Sequence, residues 1–160
     1  MKKTNLKSQV TSAITACQEK KAGDLSILEL DKSAGGFTDY FVICSGSNPR
    51  QIQAISDEVE QRLSREGLQP AHVEGYKQAE WVLLDYVDFV VHVFSEKARE
   101  FYDLERLWKS AKRLEASELQ AKVRGRGRKT REASRSGKQT AGSPATTTKA
   151  PHARARSHKP

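Results

Sequence analysis

Residues 38–51 read Thr38-Asp39-Tyr40-Phe41-Val42-Ile43-Cys44-Ser45-Gly46-Ser47-Asn48-Pro49-Arg50-Gln51, and this stretch decides the fold class. The run Tyr40–Cys44 is unbroken, apolar, and rich in aromatic and β-branched residues, which predicts a central strand. Small residues then end the run. Asn48 can cap a helix, Pro49 suits its first helical position, and Gln51 can complete a capping box. A buried strand that turns directly into a capped helix is the building unit of an α/β domain.

Working outward, Ile52, Ile55, Val59 and Leu63 form one helical stripe that stops at Gly67. Upstream, Leu6, Val10, Ile14 and Cys17 predict an amphipathic helix closing near Lys20-Lys21-Ala22-Gly23, with cations and then glycine at its end. Leu25–Leu30 reads as a short strand, and Gly35-Gly36 as a turn. Downstream, strands are expected around residues 71–73, 81–84 and 89–94, with Asp85-Tyr86-Val87-Asp88 as a hairpin turn exposing both carboxylates. A final helix places Phe101, Leu104, Leu107 and Trp108 on one face. The order is α-β-β-α-β-β-β-α. Adjacent strands without an intervening helix must pair antiparallel, so the expected fold is a mixed β-sheet flanked by helices.

Charge divides the chain. The 160 residues carry a formal net charge of +8. Residues 117–160 hold twelve cations against Glu118 and Glu132, a net +10, whereas residues 1–116 carry −2. The tail has no Phe, Tyr, Trp or Ile, and cannot bury enough apolar surface to offset the entropy of ordering. The expected organisation is a domain over 1–116 and a disordered basic tail over 117–160. Such arms follow nucleic-acid backbones by counterion release, and Arg124, Arg126, Arg128, Lys129 and Arg131 are the densest part. The competing reading is a solvated tail that keeps the protein soluble, but its charge density exceeds that need. No run approaches the ~20 apolar residues of a membrane helix. The start, Met1-Lys2-Lys3-Thr4-Asn5-Leu6-Lys7, lacks the apolar stretch of a secretory signal, and two cysteines cannot staple a fold of this size. A cytoplasmic location is expected.

A search for chemistry assigns no catalytic residue, no metal and no cofactor. His72 and His92 lie on separate predicted strands without a ligand pattern around them, and a hydrogen-bonded structural histidine is the simpler reading. Cys44 sits in an apolar strand, where a thiol is a poor nucleophile. Gly46-Ser47 invites comparison with the phosphate-holding turn of nucleotidyltransferases. Those enzymes, however, set paired carboxylates on a nearby strand to bind metal ions. Here Asp57 and Glu58 fall on a predicted helix, and Asp85 and Asp88 flank a turn, where they cannot share one strand face. Binding chemistry is better represented. Tyr76, Trp81, Tyr86, Tyr102 and Trp108 interleave with Arg50, Asp85, Asp88, Arg99, Asp103 and Arg106, residue types that dominate interface hot spots. For Trp108, core packing is an equally good account.

Three blocks then resemble the ribosomal silencing factors, the Iojap-like proteins. They are residues 38–47 with Arg50-Gln51; His72-Val73-Glu74-Gly75 with Trp81–Tyr86; and Arg99–Trp108. The resemblance spans roughly residues 5–110, and the combination is specific where no single block would be. It implies a nucleotidyltransferase-like fold without the catalytic carboxylates, and a non-enzymatic repressor of translation. Family members bind the universal large-subunit protein numbered fourteen on the intersubunit face of the large ribosomal subunit. They thereby block the small subunit under nutrient limitation, and some are homodimers when free. Carried over residue by residue, the resemblance puts Trp81, Leu83, Asp85, Tyr86 and Asp88 at the centre of the contact. Tyr102, Asp103 and Arg106 lie at its edge, and Arg50 orders the turn before the second helix. Where the family usually has glycine between Tyr86 and Asp88, this chain has Val87, which a positive φ would strain. The basic tail is no part of the common core. The alternatives are a metal-dependent nucleotidyltransferase-like enzyme, or a general RNA-binding protein acting through the tail.

Overall fold

The computed structural model describes residues 3–31 and 37–135. The expected turn at Gly35-Gly36 and the last part of the tail lie outside the described residues. The elements are α1 (Lys3–Glu19), β1 (Gly23–Glu29), β2 (Tyr40–Gly46), α2 (Pro49–Arg65), β3 (His72–Glu74), β4 (Trp81–Asp85), β5 (Phe89–Ser95), α3 (Glu96–Tyr102), α4 (Leu104–Leu107), β6 (Lys112–Leu114) and α5 (Ala116–Arg135).

The expected mixed sheet is present. It has six strands in the order β3-β4-β5-β2-β1-β6. Only the β2–β5 pair is parallel, running from Tyr40↔Phe89 to Gly46↔Ser95, and the other pairs are antiparallel. The parallel pair needs a crossover, which α2, β3 and β4 provide. As its composition predicts, β2 is central and buried along its whole length.

Alternation along the strands makes two cores. Val42 and Cys44 of β2, Val82 and Leu84 of β4, and Phe89, Val91 and Val93 of β5 face α1 and α2. Val10, Ala13, Ile14 and Cys17 of α1 and Ile52, Ile55, Val59 and Leu63 of α2 complete that core, all fully buried. Each such Ile, Val or Leu contributes about 1.5–3 kcal/mol relative to exposure. The opposite face carries Leu28, Phe41, Ile43, Val90 and Phe94, covered by Ala98 and Leu104 with Trp108 packed alongside.

The turn before α2 forms as its sequence dictates. The Asn48 side chain accepts from the Gln51 N–H at 2.8 Å, and Gln51 Oε1 accepts from the Ser47 N–H at 2.7 Å. Gln51 Nε2 also donates to the Lys20 and Lys21 carbonyls at the end of α1. Gln51, not Arg50, therefore ties this turn; Arg50 is exposed.

Two expectations are corrected. The final helix is not continuous, because Asp103 takes φ 43 and ψ 59 and separates α3 from α4. The change of register buries Leu104 but leaves Phe101 79% and Leu107 73% exposed, so the four residues do not share a face. Further on, Lys112–Leu114 form β6 and α5 starts at Ala116, so the first part of the tail expected to be disordered, residues 117–135, continues a helix. Lys112–Leu114 pair with Ile27–Glu29 at the sheet edge, a short and charged edge strand of the kind that resists further pairing. Leu119 of α5 is buried in the core beside α1. Gln120 Nε2 donates to Thr15 Oγ1 at 3.3 Å and to Gln18 Oε1 at 3.0 Å. Composition alone missed this helix because a single leucine suffices once α1 offers a surface to receive it.

Candidate functional site

Trp81, Leu83 and Asp85 alternate along β4 on the face turned away from α1 and α2, and all three are partly exposed. In the antiparallel register, Trp81 stands opposite Phe94 and Leu83 opposite His92. The Trp81 ring stacks on Phe94 with centroids 5.0 Å apart and lies 4.7 Å from the Tyr102 ring. Beneath it, the indole N–H donates to Nδ1 of His92 at 3.1 Å. His92 also meets the Phe41 ring edge-on at 4.7 Å, and Phe41 meets Trp108 at 5.6 Å. The result is an aromatic layer on the open half of the sheet, with Trp81 at its surface.

His92 is only 4% exposed, and burial pushes its pKa down to about 4. The imidazole is therefore neutral near pH 7 and can accept from Trp81. Its Nε2 is buried without a hydrogen-bond partner among the described residues. The ring thus acts as a support that fixes the indole, the structural role expected for it.

Tyr102 ends α3, and its position depends on Arg99. The Arg99 guanidinium donates to Ser45 Oγ at 2.9 Å and to Glu105 Oε1 at 2.6 Å, joining the end of β2 to the α3–α4 segment. Burial by itself would raise the Glu105 carboxyl, but the hydrogen bond from Arg99 leaves it below the ordinary carboxylate range. Asp103 accepts left-handed backbone here, which short polar side chains tolerate, and its carbonyl receives the Arg106 N–H at 3.1 Å. Arg106 is exposed and Asp103 half-buried.

The turn after β4 lies at the other end of this surface, about 13 Å from Trp81 at the usual strand rise. Asp85 Oδ1 accepts from the Val87 N–H at 2.8 Å, and the Tyr86 N–H donates to the Phe89 carbonyl at 2.9 Å. Asp85 and Asp88 are half-buried rather than fully exposed. Val87 adopts φ 69 and is 62% exposed, which realises the strain anticipated for a β-branched residue there. Tyr86 departs from expectation. It points into the helix-covered core at 4% exposure and stacks on Phe89 at 4.9 Å. Burial, with a smaller contribution from the Glu60 charge, pushes its phenol pKa up. As an even-numbered neighbour of Val82 and Leu84 it follows the inward phase of β4, so it is a core residue rather than part of the surface.

The structure thus brings Trp81 and Tyr102 into contact, sets Leu83 and Asp85 along the same face of β4, and holds Asp88 beyond the following turn; Asp103 and Arg106 come after Tyr102 in the α3–α4 segment. It adds Phe101 and Leu107, exposed apolar side chains flanking Tyr102 and Asp103 in sequence. Reading one helical period through residue 103 hides them, and no glycine or proline there signals the break.

The carboxylates weighed for metal chemistry are otherwise engaged. Asp57 Oδ2 accepts from the Tyr76 hydroxyl at 3.1 Å, and Glu58 lies 3.7 Å from Arg62. Cys17 and Cys44 are both buried free thiols with sulfurs 3.9 Å apart. The contact with Cys44, together with burial, pushes Cys17 well above the ordinary thiol range. Arg124 is exposed on α5, while Arg126, Arg128, Lys129 and Arg131 follow along the same helix backbone. Among the described residues, no helix is long and apolar enough to cross a membrane.

The family model described as "Ribosomal silencing factor during starvation" matches residues 3–141. The chain belongs to the ribosomal silencing factor family. The Bacillus subtilis member, named Ribosomal silencing factor RsfS, is 40% identical over 107 residues, covering 67% of this chain and 90% of that one. A mouse relative named Mitochondrial assembly of ribosomal large subunit protein 1 is 26% identical over 105 residues, covering 64% of this chain and 46% of its own length. The fold is similar to a crystal structure from Bacillus halodurans, at TM-score 0.59 and 36% identity over 68% of this chain and 97% of that one. A Chromobacterium violaceum protein gives TM-score 0.61 and 31% identity, covering 64% and 84%. The family is thus named for silencing of ribosomes rather than for a reaction.

Proposed function

We propose that this protein docks on the intersubunit face of the large ribosomal subunit, against the universal large-subunit protein numbered fourteen, and sterically prevents the small subunit from joining. The observation that carries this reading is the surface built on Trp81. A partly exposed indole is supported from below by His92 and meets Tyr102, which packs on the exposed Phe101, while Leu83 and Asp85 continue the same strand face; Leu107 is also exposed, and Asp88, Asp103 and Arg106 are the charged residues of the adjoining turn and α3–α4 segment. Interfaces place aromatic anchors at the centre and charged residues at the rim, where they set orientation and partner choice. Fixing the indole before docking lowers the entropy lost on binding. No chemical step is needed, because occupancy of the face is the mechanism. Family membership supports ribosome-directed silencing, and the name of the mouse relative points to the large subunit for that protein.

The test is sucrose-gradient sedimentation of purified large and small subunits with the full-length protein. Protein that co-migrates with the large subunit and reduces joined ribosomes supports the reading. Co-migration with undiminished joining would contradict steric blocking, and the absence of co-migration would contradict docking.

A further inference from the structure

The amphipathic character of α5 separates its two sides. Ala116, Leu119, Gln120 and Val123 lie on the side packed toward α1, with Leu119 buried and Gln120 hydrogen-bonded to Thr15 and Gln18. Lys122 and Arg124 are exposed. At about 3.6 residues per turn, positions 128, 129 and 135, occupied by Arg, Lys and Arg, continue the helix half away from α1. The inward lane at 127, 130 and 134 is Gly, Thr and Ser, without charge. Glu118 and Glu132 are the acidic residues of this helix, against seven cations. Because α1 and α2 share one face of the sheet and Trp81 lies on the other, the basic side of α5 is opposite the aromatic surface.

We propose that α5 is an RNA-binding helix, docked on the domain rather than tethered to it, whose exposed Lys122 and Arg124, with the positions of Arg128 and Lys129 one to two turns further on, engage the phosphate backbone of folded RNA. Cations spread over the two flanks of a helix can pair with phosphates on either side of it and release their condensed counterions. A membrane surface is the poorer fit, since an interfacial helix needs an apolar side to bury among lipids. The apolar residues of α5, Leu119 and Val123, are turned toward α1. Its placement opposite Trp81 lets one copy hold RNA and a protein partner together, adding the effective concentration of a second contact. The RNA contact does not depend on the docking reading.

The test uses the full-length protein and a fluorescein-labelled RNA hairpin, with anisotropy titrations across a salt series. The variant Lys122→Gln/Arg124→Gln/Arg128→Gln/Lys129→Gln keeps good helix formers in place. It is expected to lose at least about tenfold in affinity at low salt, and its log–log salt slope should fall by about 3. A control, Lys138→Gln/Lys149→Gln/Arg154→Gln/Arg156→Gln, removes as many charges beyond α5 and is expected to lose less than about threefold. Equal losses in the two variants would overturn the assignment to α5, leaving bulk tail charge as the cause. Unchanged binding by the first variant would overturn it outright. Binding of the wild type to phosphatidylserine vesicles as tightly as to the hairpin, abolished by the same four changes, would replace RNA with a membrane. The hairpin contains no ribosomal protein, so these outcomes are separate from those of the subunit-joining assay.

Discussion

The Trp81 indole N–H donates to Nδ1 of His92 at 3.1 Å, so the partly exposed indole of the aromatic layer is held by a buried, neutral histidine. The bond requires Nδ1 to be unprotonated, which links the surface to pH. Folding depresses the His92 pKa from 6.5 to about 4. Between those values the unfolded chain binds the proton and the native state does not, so stability falls as pH drops through this window and the loss levels off below it. The loss should approach about 3 kcal/mol between pH 7 and 4, taking 1.36 kcal/mol for each pKa unit. Urea melts of the wild type and of His92→Asn across that range measure it as the difference between the two proteins. Parallel pH profiles would show that His92 is not the titrating group.

Val87 should be replaceable with profit. At φ 69 its branched side chain meets the steric penalty of left-handed backbone, and it stands 62% exposed without a packing role to lose. Val87→Gly is expected to raise stability by about 1 kcal/mol, the left-handed penalty less the entropy glycine adds to the unfolded chain. Urea midpoints at constant slope would show it.

Gly75 has the opposite character. It has φ 77, and a Cβ there would sit 2.1 Å from the Trp81 carbonyl oxygen, which is backbone and cannot swing aside. Gly75→Ala should destabilise by roughly 3 kcal/mol, in the range of strained backbone positions, and should disturb the start of β4. A shift in tryptophan fluorescence in the folded state, in addition to the lower midpoint, would report that disturbance.

Leu119 tests whether α5 belongs to the domain. Its side chain is 4% exposed among residues of the α1 core, so Leu119→Ala should cost about 2–3 kcal/mol and reduce helicity by circular dichroism. A free tail would show neither effect. For the same reason, a truncation after residue 116 removes part of the core, whereas one after Arg135 spares α5.

How much of this was legible depends on whether local chemistry or tertiary contact decided each element. Tyr40–Cys44 and Asn48-Pro49-Arg50-Gln51 carry their own instructions, and strand, cap and helix formed as read. Trp81, Leu83, Asp85 and Tyr86 were grouped by resemblance alone, whereas the alternation of β4 sets the first three on one face and puts Tyr86 inside. Treating 85–88 as one exposed turn overlooked that phase. Asp103 gave only a weak warning of left-handed backbone, because aspartate, though a poor helix former, still occurs inside helices, and so Phe101 and Leu107 were placed on one helix face with Leu104 and Trp108. The first turns of α5 were invisible for a different reason: their stability comes from α1, Thr15 and Gln18, about a hundred residues away in sequence.

The central claim, that Trp81 anchors the protein on the large subunit, is tested most directly by titrating the purified universal large-subunit protein fourteen into full-length wild type and Trp81→Ala in a calorimeter at low and high salt. The account predicts wild-type binding that weakens at least about tenfold in Trp81→Ala at both salt concentrations, as for a desolvated hot-spot anchor. Equal affinity of the two proteins, or a difference that vanishes at high salt, would contradict it.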